Sequence, residues 1–168
     1  SMGDVDVLAS YLTNDLNGTI GAFYSIPWGQ GRISSYTAWD GAEIKAPTSK
    51  RTLNGVSYYE LSSGAELAYL AKTGGHWLNE NYILTADIYL NETLPVWDQD
   101  GNCLNSDVLN LWHPIGDDEA PFTGVLLGNG FSVNGLYAAG SEHENQGLFG
   151  VISGGRIDGL SIRYAYVS

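Results

Sequence analysis

The sequence predicts a mainly β solenoid: a few coils of stacked short strands, closed at the N-terminal end by a short α-helix and an irregular segment. Three observations carry this. First, glycine-punctuated units repeat in the last third, where Phe122-Thr123-Gly124 to Gly130, then Asn134-Gly135-Leu136, is echoed by Leu148-Phe149-Gly150 to Gly155, then Asp158-Gly159-Leu160. Aligning Gly124 with Gly150 and Gly135 with Gly159 gives spacings of 26 and 24. A near-fixed period in this range marks units that bury their apolar faces only by stacking on one another. Second, the chain holds 22 glycines in 168 residues, and only 15% of residues are charged, too few for the solvated faces of a helical bundle. Third, 12% of residues are aromatic, with eleven tyrosines, which suits strands and recognition surfaces.

The elements follow in order. Val5, Leu8, Tyr11, Leu12 and Leu16 recur at helical spacing, with Asp4 or Asp6 as cap and Gly18 as stop, so a helix is expected over 4–17. Residues 18–40 are rich in Gly, Ser, Tyr and Trp and read as irregular or short-stranded chain. Residues 45–54 are polar, contain Pro47 and read as a loop. Residues 56–61 (Val-Ser-Tyr-Tyr-Glu-Leu) read as a strand. Ser63 with Glu66 three positions on forms a capping box, so a helix is expected over 63–72, ended by Gly74-Gly75. Residues 82–90 give the clearest strand pattern, 91–111 a polar excursion, and 162–167 a final strand instead of a cap. That ending leads one to expect either continuation past Ser168 or pairing with another chain.

Several of these strings have a familiar shape. They include Trp39-Asp40-Gly41, Tyr59-Glu60-Leu61-Ser62-Ser63 leading into Glu66-Leu67-Ala68, Tyr82 to Asn91, and Trp112-His113-Pro114-Ile115-Gly116. Phe122-Thr123-Gly124, Gly128-Asn129-Gly130, Asn134-Gly135-Leu136, Gly147-Leu148-Phe149-Gly150 and Ile157-Asp158-Gly159-Leu160 complete the set. Together these resemble the N-terminal part of bacterial cell-surface proteins that carry GLUG-type repeats on a right-handed parallel β-helix. The resemblance covers about residues 39–162, departs from the family pattern in an insertion between Asn91 and Trp112, and leaves 4–38 unmatched. It implies secretion or surface attachment, a scaffold role and often adhesion, and it implies no catalysis by the repeats. The expected organisation is an N-terminal extension or cap of unknown role at 4–38 and the coil module at 39–168.

Charge and cysteine usage narrow the partners. The net charge is −12, from 7 basic and 19 acidic residues, so phosphate backbones and anionic lipid repel the chain and nucleic acid is excluded as a partner. The single cysteine, Cys103, forms no disulfide framework and no thiolate zinc cluster. No run of about 18 apolar residues exists to insert into a membrane. Ser1-Met2-Gly3 reads as an expression scar, so a removed signal sequence is expected upstream.

The candidate site residues are few. Asp98-Gln99-Asp100-Gly101-Asn102 places oxygens at alternate positions, as calcium loops begin, and Asp107 is a further candidate ligand. Gly101 sits at position four instead of six and no Glu follows at twelve, so this is no EF-hand. An ordinary polar turn uses the same residue types. Asp117-Asp118-Glu119 is a second acidic stretch, able to share a cation if the two loops meet. Trp28 and Trp97 are the candidates for stacking on sugar rings, whereas Trp39 and Trp112, inside the family-like strings, are expected in the core or cap. His76, His113 and His143 are scattered, and no nucleophile elbow occurs. Asp98 with Asp100, or Glu142 with Glu144, is a poor case for a glycosidase pair, since sequence proximity does not set carboxylate geometry.

The expectation is therefore a non-catalytic module of a bacterial surface protein that binds a glycan or a partner protein, with calcium as the one possible cofactor. A purely structural stalk or cap is the alternative. A polysaccharide lyase or phage tail-spike fragment is a third, against which the scarcity of Lys and Arg counts.

Overall fold

The computed structural model describes residues 2–5, 13–15, 37–140 and 145–168. Contacts divide the chain into two compact units, 1–35 and 36–168. In the first unit β1 (Met2–Val5) and β2 (Thr13–Asp15) pair antiparallel. These strands occupy both described ends of the helix expected over 4–17, so strand pairing overrides the helical spacing there.

The second unit is mainly strands, with one α-helix and sheets of parallel strands. It opens with a hairpin of β3 (Lys50–Leu53) and β4 (Val56–Leu61), paired antiparallel. Residues 45–54 are thus not all loop. Asn54 and Gly55, both at positive φ (50° and 82°), make the tight turn, and Asn-Gly is the residue pair that suits such a hairpin turn. The α-helix, α1 (Gly64–Thr73), starts where the capping box places it. The Ser63 hydroxyl accepts from the Glu66 backbone N–H at 3.3 Å, and the Glu66 carboxylate accepts from the Ser62 N–H at 2.9 Å. Leu67, Ala68 and Leu70 face the core, and Gly74 ends the helix at positive φ, donating its N–H to the Leu70 carbonyl.

The chain then runs through a 3-10 turn (Gly75–Asn79) and makes three passes. The first pass supplies β5 (Asn81–Leu84) and β6 (Ile88–Tyr89). The second supplies β7 (Val125–Leu127), β8 (Ser132–Asn134) and β9 (Tyr137–Ala138). The third supplies β10 (Arg156–Asp158), β11 (Ser161–Arg163) and β12 (Tyr166–Val167). The strand expected over 82–90 is two strands, because the chain turns at 85–87 from one sheet into the next. The strand expected over 162–167 is likewise divided, at Tyr164, which sits at φ 55°.

Like pairs with like across the passes, always in parallel. One sheet has the order β10-β7-β5-β4-β3, a second β11-β8-β6, a third β12-β9. The register fixes the true repeat. Val125 lies beside Arg156, 31 positions on, Val133 beside Ile162 and Tyr137 beside Tyr166, each 29 positions on. The glycine alignment at 24–26 is therefore wrong in register. In space Gly150 lies against Gly116, Gly155 against Gly124 and Gly159 against Gly128, each so close that no Cβ fits between the backbones. The step from β6 to β8 is longer, Ile88 lying beside Val133, because the excursion after Asn91 falls within it.

Side chains stack along with the strands. Leu61, Leu84, Ile88, Leu126, Val133 and Ala138 are buried in one core with Trp39, Trp112 and Phe122. Trp39 and Trp112 meet edge to face at 5.5 Å, in the core role expected of them. Tyr59 and Tyr82 stack at 5.9 Å and Tyr137 and Tyr166 at 5.7 Å, each pair on neighbouring parallel strands.

A clamped loop as candidate functional site

Residues 92–111 leave the first pass after β6 and return to the core at Trp112. Two asparagines close the base of this excursion. Asn91, buried, accepts at Oδ1 from the Asn110 N–H at 2.6 Å and donates from Nδ2 to the Gly135 carbonyl at 2.8 Å. Asn110 donates from Nδ2 to the carbonyls of Trp39 at 2.7 Å and Leu90 at 3.1 Å. A buried amide with both ends satisfied fixes its neighbours strongly. The neck is thus tied to the scaffold, and the loop beyond it stands outside the core. Asn91 also begins an Asn-x-Thr string, but its amide is fully engaged inside the protein.

Beyond the neck, local hydrogen bonds order the loop. Trp97 forms an antiparallel bridge with Cys103, and the Leu104 N–H donates to the Val96 carbonyl at 2.7 Å. Asn105 accepts from the Val96 N–H at 2.9 Å and donates to the Leu94 carbonyl at 3.0 Å. At the tip, Asp98 Oδ1 accepts from the N–H groups of Asp100 (2.8 Å) and Asn102 (2.9 Å), and Oδ2 accepts from the Asn102 side-chain amide at 3.0 Å. The Asn102 side chain first, then backbone N–H groups, hold the Asp98 carboxyl below its usual 3.8. Gly101 takes φ 87°, closing the turn.

This arrangement gives Asp98 a structural task. Its two oxygens hold an Asx turn of its own loop. Asp100 and Asp107 are exposed, and Asp107 lies in a 3-10 turn, Ser106–Val108. Among the described residues no group of three or more His, Cys, Asp or Glu is arranged to hold a metal ion. The second acidic stretch has the same device: Asp117 Oδ1 accepts from the N–H groups of Glu119 at 3.0 Å and Ala120 at 2.8 Å. Asp40 does so a third time, its carboxyl lowered by the Glu43 and then the Ala42 N–H. The acidic strings that suggest ligands in the sequence are, in these three places, loop-forming residues.

The outward face of the excursion is apolar as well as acidic. Val96, Trp97, Leu104 and Val108 are exposed, Trp97 at 49%. The segment carries Glu92, Asp98, Asp100 and Asp107 and no Lys or Arg. Apolar side chains held out on an ordered loop mark an interaction surface. Trp28 lies outside the described residues, as do Glu142, His143 and Glu144. Sequence reasoning singled out Trp97 and Asp98 but missed Leu104 and Val108. The signal was present, since both are large apolar residues in a segment otherwise polar.

Comparison with known proteins adds one relative. Over 142 residues, 83% of this chain, it is 32% identical to Halomucin of Haloquadratum walsbyi. The matched stretch spans 2% of that protein's length. No family model matches the chain, and no solved structure matches it. The GLUG-type resemblance therefore rests on the quoted residue strings alone.

Proposed function

We propose that this chain is a non-catalytic module of a cell-surface or secreted protein, in which a right-handed parallel β-helix of a few coils holds out the 92–111 loop to bind an extracellular glycan or a surface protein. The observation that carries the reading is the neck formed by Asn91 and Asn110. It closes the core beneath the loop, so the loop's exposed Trp97, Val96, Leu104 and Val108 are available for recognition instead of packing. The parallel pairing of three successive passes supports the coil. Similarity to a protein named as a mucin supports the surface location. Among the described residues no helix is long and apolar enough to cross a membrane.

An indole face beside carboxylate and amide groups suits a sugar ring, which offers C–H groups to the ring and hydroxyls to the polar rim. Calcium is a separate part of the proposal. Asp100, Asp107 and the Asn102 oxygen would have to converge on it, with Asp98 giving up turn hydrogen bonds. The test is a binding screen on polysaccharides and mucin glycans, with calcium and with chelator, reading released sugar ends in the same wells. Binding that Trp97→Ala abolishes, with no sugar released, is the expected result. Binding insensitive to chelator removes calcium from the account, and released sugar ends overturn the non-catalytic reading. The stalk reading draws on the parallel stacking itself, and wild-type chain that binds nothing in any well would favour it.

A further inference from the structure

The third pass ends in three strand edges that carry no partner among the described residues: β10, β11 and β12 each pair on one side only. The residues that continue the buried rows are correspondingly uncovered there. Ile162 continues the row of Val133 and is 45% exposed, and Val167 continues that of Ala138 and is 48% exposed. Free parallel edges over an open apolar cross-section are a template for another strand.

The sequence of β10 says which strand. Read in either direction, Arg156-Ile157-Asp158 places Ile at the centre and opposite charges at the flanks. Laid antiparallel on itself about Ile157, it sets Arg156 against Asp158 of the second copy, twice, and Ile157 against Ile157. Arg156 and Asp158 lie on one face of the strand, 3.0 Å apart and both exposed. That is self-complementarity of the kind a two-fold interface requires. A parallel or head-to-tail partner has no such match, since the other free edge of this sheet, β3, carries Lys50 and Arg51.

We propose that the third-pass edge is a self-association surface, where β10 pairs antiparallel with β10 of a second copy of this chain. The same rotation brings β11 onto β12 of the second copy, Ile162 meeting Val167. This second match rests on the coiled reading of the module, whereas the β10 match does not.

Sedimentation equilibrium of the wild-type chain and of R156D and D158R tests it. The expected result is a wild-type dimer, with each single variant weakening dimerisation by about tenfold or more, because like charges then face each other across the strand pair. An equimolar mixture of R156D and D158R restores the dimer, since each chain then meets its opposite. Circular dichroism spectra and melting midpoints unchanged in both variants show that the fold is intact, so a loss of dimer is a loss of the interface. A wild-type chain that stays monomeric at every concentration overturns the proposal. So does growth beyond a dimer, and so do single variants that dimerise as wild type does or a mixture that stays monomeric.

Discussion

The two ends of the parallel sheets are built from similar residues and treated in opposite ways. At the first end β4 is covered by β3, and α1 sends Leu67 and Leu70 into the same core as Leu61 and Leu84. Trp39 completes that end, packed against Trp112 and held by its indole N–H to the Glu43 carbonyl at 2.7 Å. At the other end Ile162 and Val167 occupy equivalent inward positions on their strands and lie open. What differs is what lies beyond the last paired strand, not the residues in the rows. Stability should therefore be concentrated towards the covered end, and capacity for association at the open one.

The largest expected effect is a truncation in the covered end. Leu67→Ala should cost about 2–5 kcal/mol in urea unfolding, as for buried leucines generally. Ile162→Ala, the corresponding truncation in the open end, should change stability by roughly 0.5 kcal/mol, measured at a concentration where the chain is monomeric. Equal costs would mean that the ends do not differ. Next in size is the neck of the loop. Asn91→Ala leaves the Asn110 N–H and the Gly135 carbonyl without their partner and should cost about 1–3 kcal/mol by the same titration. Ser63→Ala removes the cap of α1 and should cost about 1 kcal/mol. A cost near zero for Ser63→Ala would show that α1 is held by packing alone.

The smallest effect is a pH response of the loop tip. The Asp98 carboxyl is held below 3.8 in the folded loop, so the turn's contribution is fully present above that value. It is lost as pH falls through 3.8 and below. Amide exchange at Asp100 and Asn102 should therefore quicken in acid relative to Asp98→Asn, in which no carboxylate titrates at the turn. Identical profiles in the two proteins would remove Asp98 as the group that holds the tip.

Much of this is legible in the sequence, and the misses have physical reasons. The capping residues Ser63 and Glu66 locate α1 to within one residue, because a cap is a local device that tertiary packing rarely overrides. The repeat is legible as a repeat but not in register. Glycines at turns look alike in a string, and only the pairs that touch, such as Gly128 with Gly159, report the stacking distance. Tyr137 and Tyr166 carry the same information as an aromatic pair 29 positions apart. Asn54-Gly55 marks a hairpin that the polarity of 45–54 hides. At the site, Trp97 and the 91–111 excursion are legible, but the roles of the acidic residues are not. Asp98 and Asp117 look like ligands until the turn N–H groups that their oxygens accept from are in view.

Hydrogen exchange of the backbone amides, under dilute monomeric conditions, tests the contrast between the ends most directly. The account predicts that the amides of β5, with strands on both sides and α1 packed into the same core, exchange slowest, and that those of β10, β11 and β12 exchange fastest among the parallel strands. Equal protection from β5 to β12, or the reverse gradient, would contradict it.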